Sequence, residues 1–183
     1  PYHSDDRFSD ISGHWAAGYI NQAAVKGWVE GQPDGSFAPD RSITRAEVAT
    51  IFFRLLTEDV RTANSTQSNS LSDVSRGQWF NHAISTLSSM GIVKGNPDGT
   101  FDPDAPITRE EAFTVLARAF ALEGGGSATL KDFVDGGTVS SWASESVAAL
   151  VAGGYVNGAN GMLNLKNNIT RAEFAKVITG MAA

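Results

Sequence analysis

The pentapeptide Ile43-Thr44-Arg45-Ala46-Glu47 returns as Ile107-Thr108-Arg109-Glu110-Glu111 and again as Ile169-Thr170-Arg171-Ala172-Glu173. The three copies begin 64 and 62 residues apart. A fixed period of this kind constrains a fold more tightly than composition does, because each copy must repeat one supersecondary unit. Other residues keep the same register. Trp15, Trp79 and Trp142 each precede the motif threonine by 28 or 29 residues. Asp10, Asp73 and Asp135 stand shortly before those tryptophans, and Gly27, Gly91, Gly154 and Gly31, Gly95, Gly158 follow them. Pro33-Asp34-Gly35-Ser36-Phe37 is matched by Pro97-Asp98-Gly99-Thr100-Phe101. The third copy has the shorter Ala159-Asn160-Gly161-Met162-Leu163, with no proline. The copies run approximately over 8–60, 71–122 and 130–182, which together fill nearly all of the 183 residues as one domain.

Apolar spacing within each copy is helical. Trp15, Tyr19, Ala23 and Ala24 form one stripe, repeated by Trp79, Ala83, Ile84 and Leu87 and echoed by Val147, Leu150 and Val151. Gly27 and Gly91 are placed to end that first helix in a left-handed conformation. A loop with Pro-Asp-Gly turn chemistry follows. The second helix then begins at the Ile-Thr-Arg motif. Its apolar faces are Val48, Ile51, Phe52 and Leu55, then Ala112, Val115, Leu116 and Ala119, then Phe174, Val177 and Ile178. Each copy therefore reads as helix–loop–helix, and the expected fold class is all-α. A single copy cannot bury both stripes. Three copies can, by bringing their second helices into a central bundle. The polar stretch 61–70 and the segment around Gly124-Gly125-Gly126-Ser127 read as surface connectors.

Composition removes several functional classes. There is no cysteine, so disulfides, thiol catalysis and Cys-ligated metals are excluded. The net charge of −6 disfavours a nucleic-acid partner, which calls for a basic footprint. No stretch approaches the roughly eighteen apolar residues of a membrane span. The chain opens at Pro1 without a signal-peptide pattern, which reads as a mature chain or a fragment of a longer one. An EF-hand register through Asp34 and Gly35 would put Arg41 at the position of the bidentate Glu, and the second copy would put Ala105 there, so calcium is not expected. His3, His14 and His82 share no repeat position and form no metal or triad pattern. Glu47, Glu111 and Glu173 have a role in capping, and threefold duplication of one glycosidase site would be unusual. The reading is non-catalytic, with no metal and no cofactor.

Thr44-Arg45-Ala46-Glu47 fits a capping box, as do Thr108 with Glu111 and Thr170 with Glu173. Capping does not ask for the arginine. Arg45, Arg109 and Arg171 sit at the first helical position, where the positive end of the helix dipole penalises a cation. Two readings follow. The guanidinium awaits an anion, which it can hold in a bidentate manner, or it closes an internal salt bridge to a carboxylate such as Asp10 or Asp73. The tryptophans are likewise either core residues or the walls of a site. The repeated glycines serve either backbone geometry or close approach to a ligand.

The combination Phe8-x-Asp10, Trp15, Gly27-Trp28-Val29-x-Gly31, Phe37-x-Pro39 and Ile43-Thr44-Arg45-Ala46-Glu47 resembles the surface-layer homology repeat, which usually occurs in three tandem copies. The resemblance covers almost the whole chain. It implies a pseudo-threefold domain around a central three-helix bundle, grooves between neighbouring copies and non-covalent anchoring of a longer surface protein to the cell wall or S-layer outside a bacterium. The implied partner is a secondary cell-wall polysaccharide, often with a pyruvate ketal on N-acetylmannosamine. It further implies that Arg45, Arg109 and Arg171 contact the anionic sugar. Asp10, Asp73 and Asp135 would bind hydroxyls or orient the arginine. Trp15, Trp79 and Trp142 would wall the groove, and Gly31, Gly95 and Gly158 would admit the sugar to backbone N–H groups. Glu110 stands where the other copies have alanine and is expected to weaken the Arg109 site. The shortened loop, Leu163 and the wider Asp135-to-Trp142 spacing make the third groove the most divergent. The alternative is a structural or protein-interaction module of a surface protein, its arginines locked in internal salt bridges.

Overall fold

The computed structural model describes residues 7–123 and 126–182. His3, Gly124 and Gly125 lie outside the described residues. Among the described residues regular structure is helical, with isolated β-bridges and no strand. Each copy has a first helix: α1 Ala17–Val25, α4 Asn81–Ser89 and α6 Ser144–Ala152. Each also has a second helix of 11 residues: α2 Arg45–Leu55, α5 Arg109–Ala119 and α7 Arg171–Met181. Between α2 and α4 runs a short additional helix, α3 Glu58–Asn64.

The second helices begin where the capping box places them. Thr44, Thr108 and Thr170 are the N-caps, and in all three the threonine and glutamate complete both halves of the box. In the first copy the Glu47 N–H donates to Thr44 Oγ1 at 3.1 Å and the Thr44 N–H donates to Glu47 Oε1 at 3.2 Å. The first helices end at Gly27, Gly91 and Gly154, with φ of +77°, +74° and +78°. Those angles are easy only for a residue without Cβ, and they stop the helix after its apolar stripe.

The three Ile-Thr-Arg segments close a ring. The Ile43 N–H donates to the Ile169 carbonyl, Ile107 to Ile43, and Ile169 to Ile107, at 3.0–3.3 Å. One residue pair further out, the Arg45, Arg109 and Arg171 amides donate to the Ala105, Asn167 and Arg41 carbonyls. These helix-leading N–H groups have no partner within their own helix. The next or preceding copy satisfies them, so the helix starts and the ring depend on one another.

Lateral packing also crosses copy boundaries. α2 packs on α4, α5 on α6, and α7 on α1, so each second helix lies against the first helix of the following copy. Phe52 of α2 and Phe174 of α7 meet edge to face at 5.8 Å. Phe37, Phe52, Phe113, Phe174, Ile84 and Leu116 are among the fully buried side chains. The first-helix stripe read in the sequence is mostly buried, and its exposed members are Trp15, Tyr19 and Trp79. Ile20, Ala23, Ala83, Ile84, Leu87, Val147 and Leu150 are buried, whereas Tyr19 and the repeat-position tryptophans Trp15, Trp79 and Trp142 are exposed.

The stretch 61–70, read as a surface connector, lies mostly at the surface and, with the residues before it, is held by polar contacts. Thr57 Oγ1 caps α3 by accepting from the Val60 N–H, and Glu58 and Asp59 suit its positive end. Beyond α3, Asn69 Nδ2 donates to Asn81 Oδ1 and to Ser85 Oγ, at 3.2 and 2.8 Å. Asn81, Ser85 and Thr86 are buried polar residues on α4. The connector completes their hydrogen bonding, which burial demands.

Candidate ligand-binding grooves

Among the described residues three equivalent grooves open on the surface, and each takes parts from all three copies. The first is bounded by Gly31 and Glu47 of the first copy, Arg171 of the third and Trp79 of the second. The second joins Gly95, Glu111, Arg45 and Trp142. The third joins Gly158, Glu173, Arg109 and Trp15. Every predicted arginine, tryptophan and glycine therefore reaches a groove wall, in cyclic order.

The arginines are held from several sides. Arg45 Nη1 donates to Glu111 Oε2 at 3.0 Å, its Nε donates to the Phe101 carbonyl at 2.7 Å, and its guanidinium lies 4.6 Å from the Phe101 ring centroid. Arg109 pairs with Glu173 and donates to the Leu163 carbonyl. Arg171 pairs with Glu47 and donates to the carbonyls of Phe37 and Glu30 at 2.9 and 3.0 Å. Each arginine thus reaches across a copy boundary to a capping-box glutamate, a partner that sequence reasoning did not single out. The paired spacing of Arg and Glu within every copy was the available signal. Burial, with the Arg41 charge adding to it, pulls the Arg171 pKa down to about 10 against the opposing attraction of Asp10. The group remains a cation at neutral pH. Burial likewise lowers the Arg109 pKa, with Glu173 and Asp135 opposing it.

The aspartates stand one step behind the arginines. Asp10 Oδ1 and Oδ2 accept the Phe37 and Ala38 N–H groups at 2.8 and 2.9 Å. Asp73 does the same for Phe101 and Asp102, and Asp135 for Leu163 and Asn164. Ala38, Asp102 and Asn164 all adopt φ of +54° to +57°, a region that costs a residue with a side chain roughly 1–2 kcal/mol. The paired amide bonds hold that turn. The peptide so fixed presents the carbonyl that receives the arginine Nε. The aspartates therefore orient the arginines through backbone, and Asp135 does so despite its altered spacing. Burial would raise the Asp135 pKa, but the Leu163 and Asn164 amides and, more weakly, Arg109 leave it lowered.

Trp15, Trp79 and Trp142 are 58%, 65% and 55% exposed. Each lies just ahead of its first helix rather than inside the apolar stripe. Exposure on this scale for the largest apolar side chain, three times at one repeat position, fits a binding surface rather than a core. The glycine positions have a local cause. A Cβ at Gly31 would lie 2.7 Å from the Ser36 carbonyl oxygen, and one at Gly158 would lie 2.6 Å from that of Met162. The bare backbone is thus required to close the turn that edges the groove.

Glu110 does not face the Arg109 groove. Its carboxylate is buried, accepting from Lys166 Nζ at 2.7 Å, Ser140 Oγ at 2.7 Å and the Ser140 N–H at 3.0 Å. Burial opposes its ionisation, yet the bonds from Lys166 and Ser140 bring its pKa below the usual carboxylate value. Among the described residues no cluster of His, Asp or Glu is arranged to hold a metal, and no helix is long and apolar enough to cross a membrane.

The family model for the S-layer homology domain matches residues 7–49, 70–113 and 132–175. The Surface-layer 125 kDa protein of Lysinibacillus sphaericus is 36% identical over 94% of this chain and 14% of its own length. Amylopullulanase of Thermoanaerobacterium thermosulfurigenes is 35% identical over 97% of this chain and 10% of its own length. The Cellulosome-anchoring protein of Acetivibrio thermocellus is 37% identical over 77% of this chain and 31% of its own. The chain spans less than a third of each of these relatives.

Proposed function

Because the chain belongs to the S-layer homology domain family, we propose that it is a non-catalytic module that anchors a larger protein at the bacterial cell surface. It binds an anionic, pyruvylated secondary cell-wall polysaccharide in the grooves between copies. The observation that carries this reading is the threefold recurrence of an exposed tryptophan that shares a groove with an arginine. Tryptophan offers a flat apolar face to a sugar ring. The arginine offers the ketal carboxylate its remaining donors: a guanidinium has five N–H groups, and Arg45 directs three of them to Phe101, Glu111 and Lys94. Its Glu111 partner and the Phe101 ring fix the fork before a ligand arrives, which limits the ordering cost of binding. The relatives named for surface layers and cellulosome anchoring support the same role. The match to an enzyme's name extends over only a tenth of that enzyme.

A second reading has its own support, since all three motif arginines are ion-paired across copies. In it they are structural and the module binds protein. Thermal melting separates the two. A ligand that binds the folded state raises the melting temperature by mass action. Purified pyruvylated wall polysaccharide is expected to raise it for the wild type, and much less for a triple Trp15→Ala, Trp79→Ala, Trp142→Ala variant, whose exposed side chains contribute little to folding. No rise in the wild type would favour the structural reading.

A further inference from the structure

The three grooves share one backbone plan, but their charges and volumes differ. The first groove sets Arg171 and Arg54 against Glu47 and Glu30. Its second cation is already engaged, with Arg54 Nη2 lying 3.3 Å from Glu30 Oε2. The third sets Arg109 and Lys176 against Glu173. The second sets Arg45, Lys94 and Arg118 against Glu111 alone. Among the described residues no ion pair engages the Lys94 ammonium or the Arg118 guanidinium, and both are exposed. The formal balance of charged wall residues is therefore zero, two positive and one positive for the first, second and third grooves, with Arg41 behind the first wall, 3.1 Å from Glu47 Oε2. Volume ranks the second groove highest as well, at about 510 Å³ against 150 Å³ for the first and 220 Å³ for the third. Ligand pockets commonly enclose roughly 300–1,000 Å³, a range that the second groove alone reaches.

Sequence position explains the charge difference. Arg54 and Arg118 are equivalent residues of α2 and α5, seven positions after the capping glutamate, where α7 has Gly180. The residue just before the groove glycine is Glu30 in the first copy, Lys94 in the second and Asn157 in the third. A single position thus turns the second cation from a paired group into a free one.

Resting on the anionic-glycan reading above, we infer that the second groove is the principal binding site. Lys94 and Arg118 are its specificity-determining residues, and they contact negative charge beyond the group held by Arg45. Electrostatics acts locally here, because salt limits its reach to about 8–10 Å, so the overall charge of −6 does not offset a local excess of cations. The first groove is the weakest, since every cation at or behind its wall is already ion-paired, Arg54 with Glu30 and Arg171 and Arg41 with Glu47.

The tryptophans provide one reporter per groove: Trp79 for the first, Trp142 for the second and Trp15 for the third. The test is a titration of the whole chain, labelled with nitrogen-15, with purified pyruvylated wall oligosaccharide while the indole N–H resonances are followed by NMR. The Trp142 signal should reach its midpoint at a concentration about tenfold or more below that of Trp79. Lys94→Ala and Arg118→Ala should each raise the Trp142 midpoint about tenfold and leave the Trp15 midpoint unchanged, with folding checked by the remaining spectrum. Lys94→Glu should erase the preference for the second groove. Equal midpoints at the three indoles, or a Trp142 midpoint unmoved by both alanine variants, would overturn the inference while leaving glycan binding intact. If none of the three indoles responds, the glycan reading and the inference fall together.

Discussion

At the centre of the molecule, Ile43, Ile107 and Ile169 pass backbone hydrogen bonds from copy to copy without variation, whereas the groove rims carry Glu30, Lys94 and Asn157 at one equivalent position. The two regions answer to different constraints. At the centre, each helix start lends its amides to a neighbouring copy, and three capping boxes, three Arg–Glu pairs and three aspartate-held turns interlock. Removing a glutamate of an Arg–Glu pair leaves a largely buried guanidinium of another copy unsatisfied, which costs about 1–3 kcal/mol or more. At the rim, side chains face water and can change charge with little effect on folding. Architecture is thus held in common while binding chemistry is free to differ between grooves.

The sharpest way to break that contrast is to attack the centre. Glu47 serves three partners: its own N-cap amide, Arg171 and Arg41. Glu47→Ala should destabilise the protein by about 3 kcal/mol, because it strands a largely buried guanidinium. Glu111→Ala should cost less, since its partner Arg45 is more exposed. Chemical denaturation of both variants would check the order, and a smaller loss at Glu47 would contradict the interlocked ring.

Asp73→Ala comes next, at about 2 kcal/mol, as it releases the Phe101 and Asp102 amides together. Its effect should reach beyond stability, because the same turn positions the carbonyl that orients Arg45. Affinity at the second groove should therefore fall even where the variant remains fully folded, and Asp73→Asn should restore only part of it. Calorimetry on folded protein gives that readout.

Thr170→Ala should cost about 1 kcal/mol, the usual effect of losing an N-cap side chain. That corresponds to a fall in melting temperature of roughly 2–4 °C for a chain of this size. Saturating affinity should be unchanged, which separates capping from binding.

The smallest effect expected is on the acid limb of stability. Glu110 has a lowered pKa in the folded protein, so the folded state binds its proton less readily than the unfolded state does. Its contribution is present above the ordinary glutamate value of about 4.3 and is lost as pH falls below it. Glu110→Gln should flatten that part of the stability–pH curve. A curve of unchanged slope would mean that the Lys166 contact contributes nothing.

The sequence shows the centre better than the rim. The capping boxes and the C′ glycines are local devices, completed within a few residues, so Thr44, Glu47 and Gly27 declare their roles from the sequence. Which copy receives a helix face is not local. The stripe on α2 looks the same whether it packs on α1 or on α4, and a period cannot tell the neighbours apart. The same ambiguity hid Glu111 as the partner of Arg45, and the aspartates' part in holding Ala38, Asp102 and Asn164 in left-handed turns. Trp15 falls on a helical spacing with Tyr19 and Ala23, but it lies ahead of α1 and faces solvent. The segment 61–70 reads from its polarity as no more than a surface connector. Its polarity instead meets buried Asn81, Ser85 and Thr86, which are not recognisable as buried until the fold is known.

The central claim is that a groove arginine, held in place by a glutamate of another copy, receives the carboxylate of a saccharide. Isothermal titration calorimetry of the intact chain with pyruvylated wall oligosaccharide, and with the same oligosaccharide after removal of its pyruvate ketals, tests that claim most directly. The account predicts that ketal removal weakens binding by about tenfold or more at moderate salt, the loss expected for one charge-assisted hydrogen-bonded contact. Equal affinity for the two forms would contradict it.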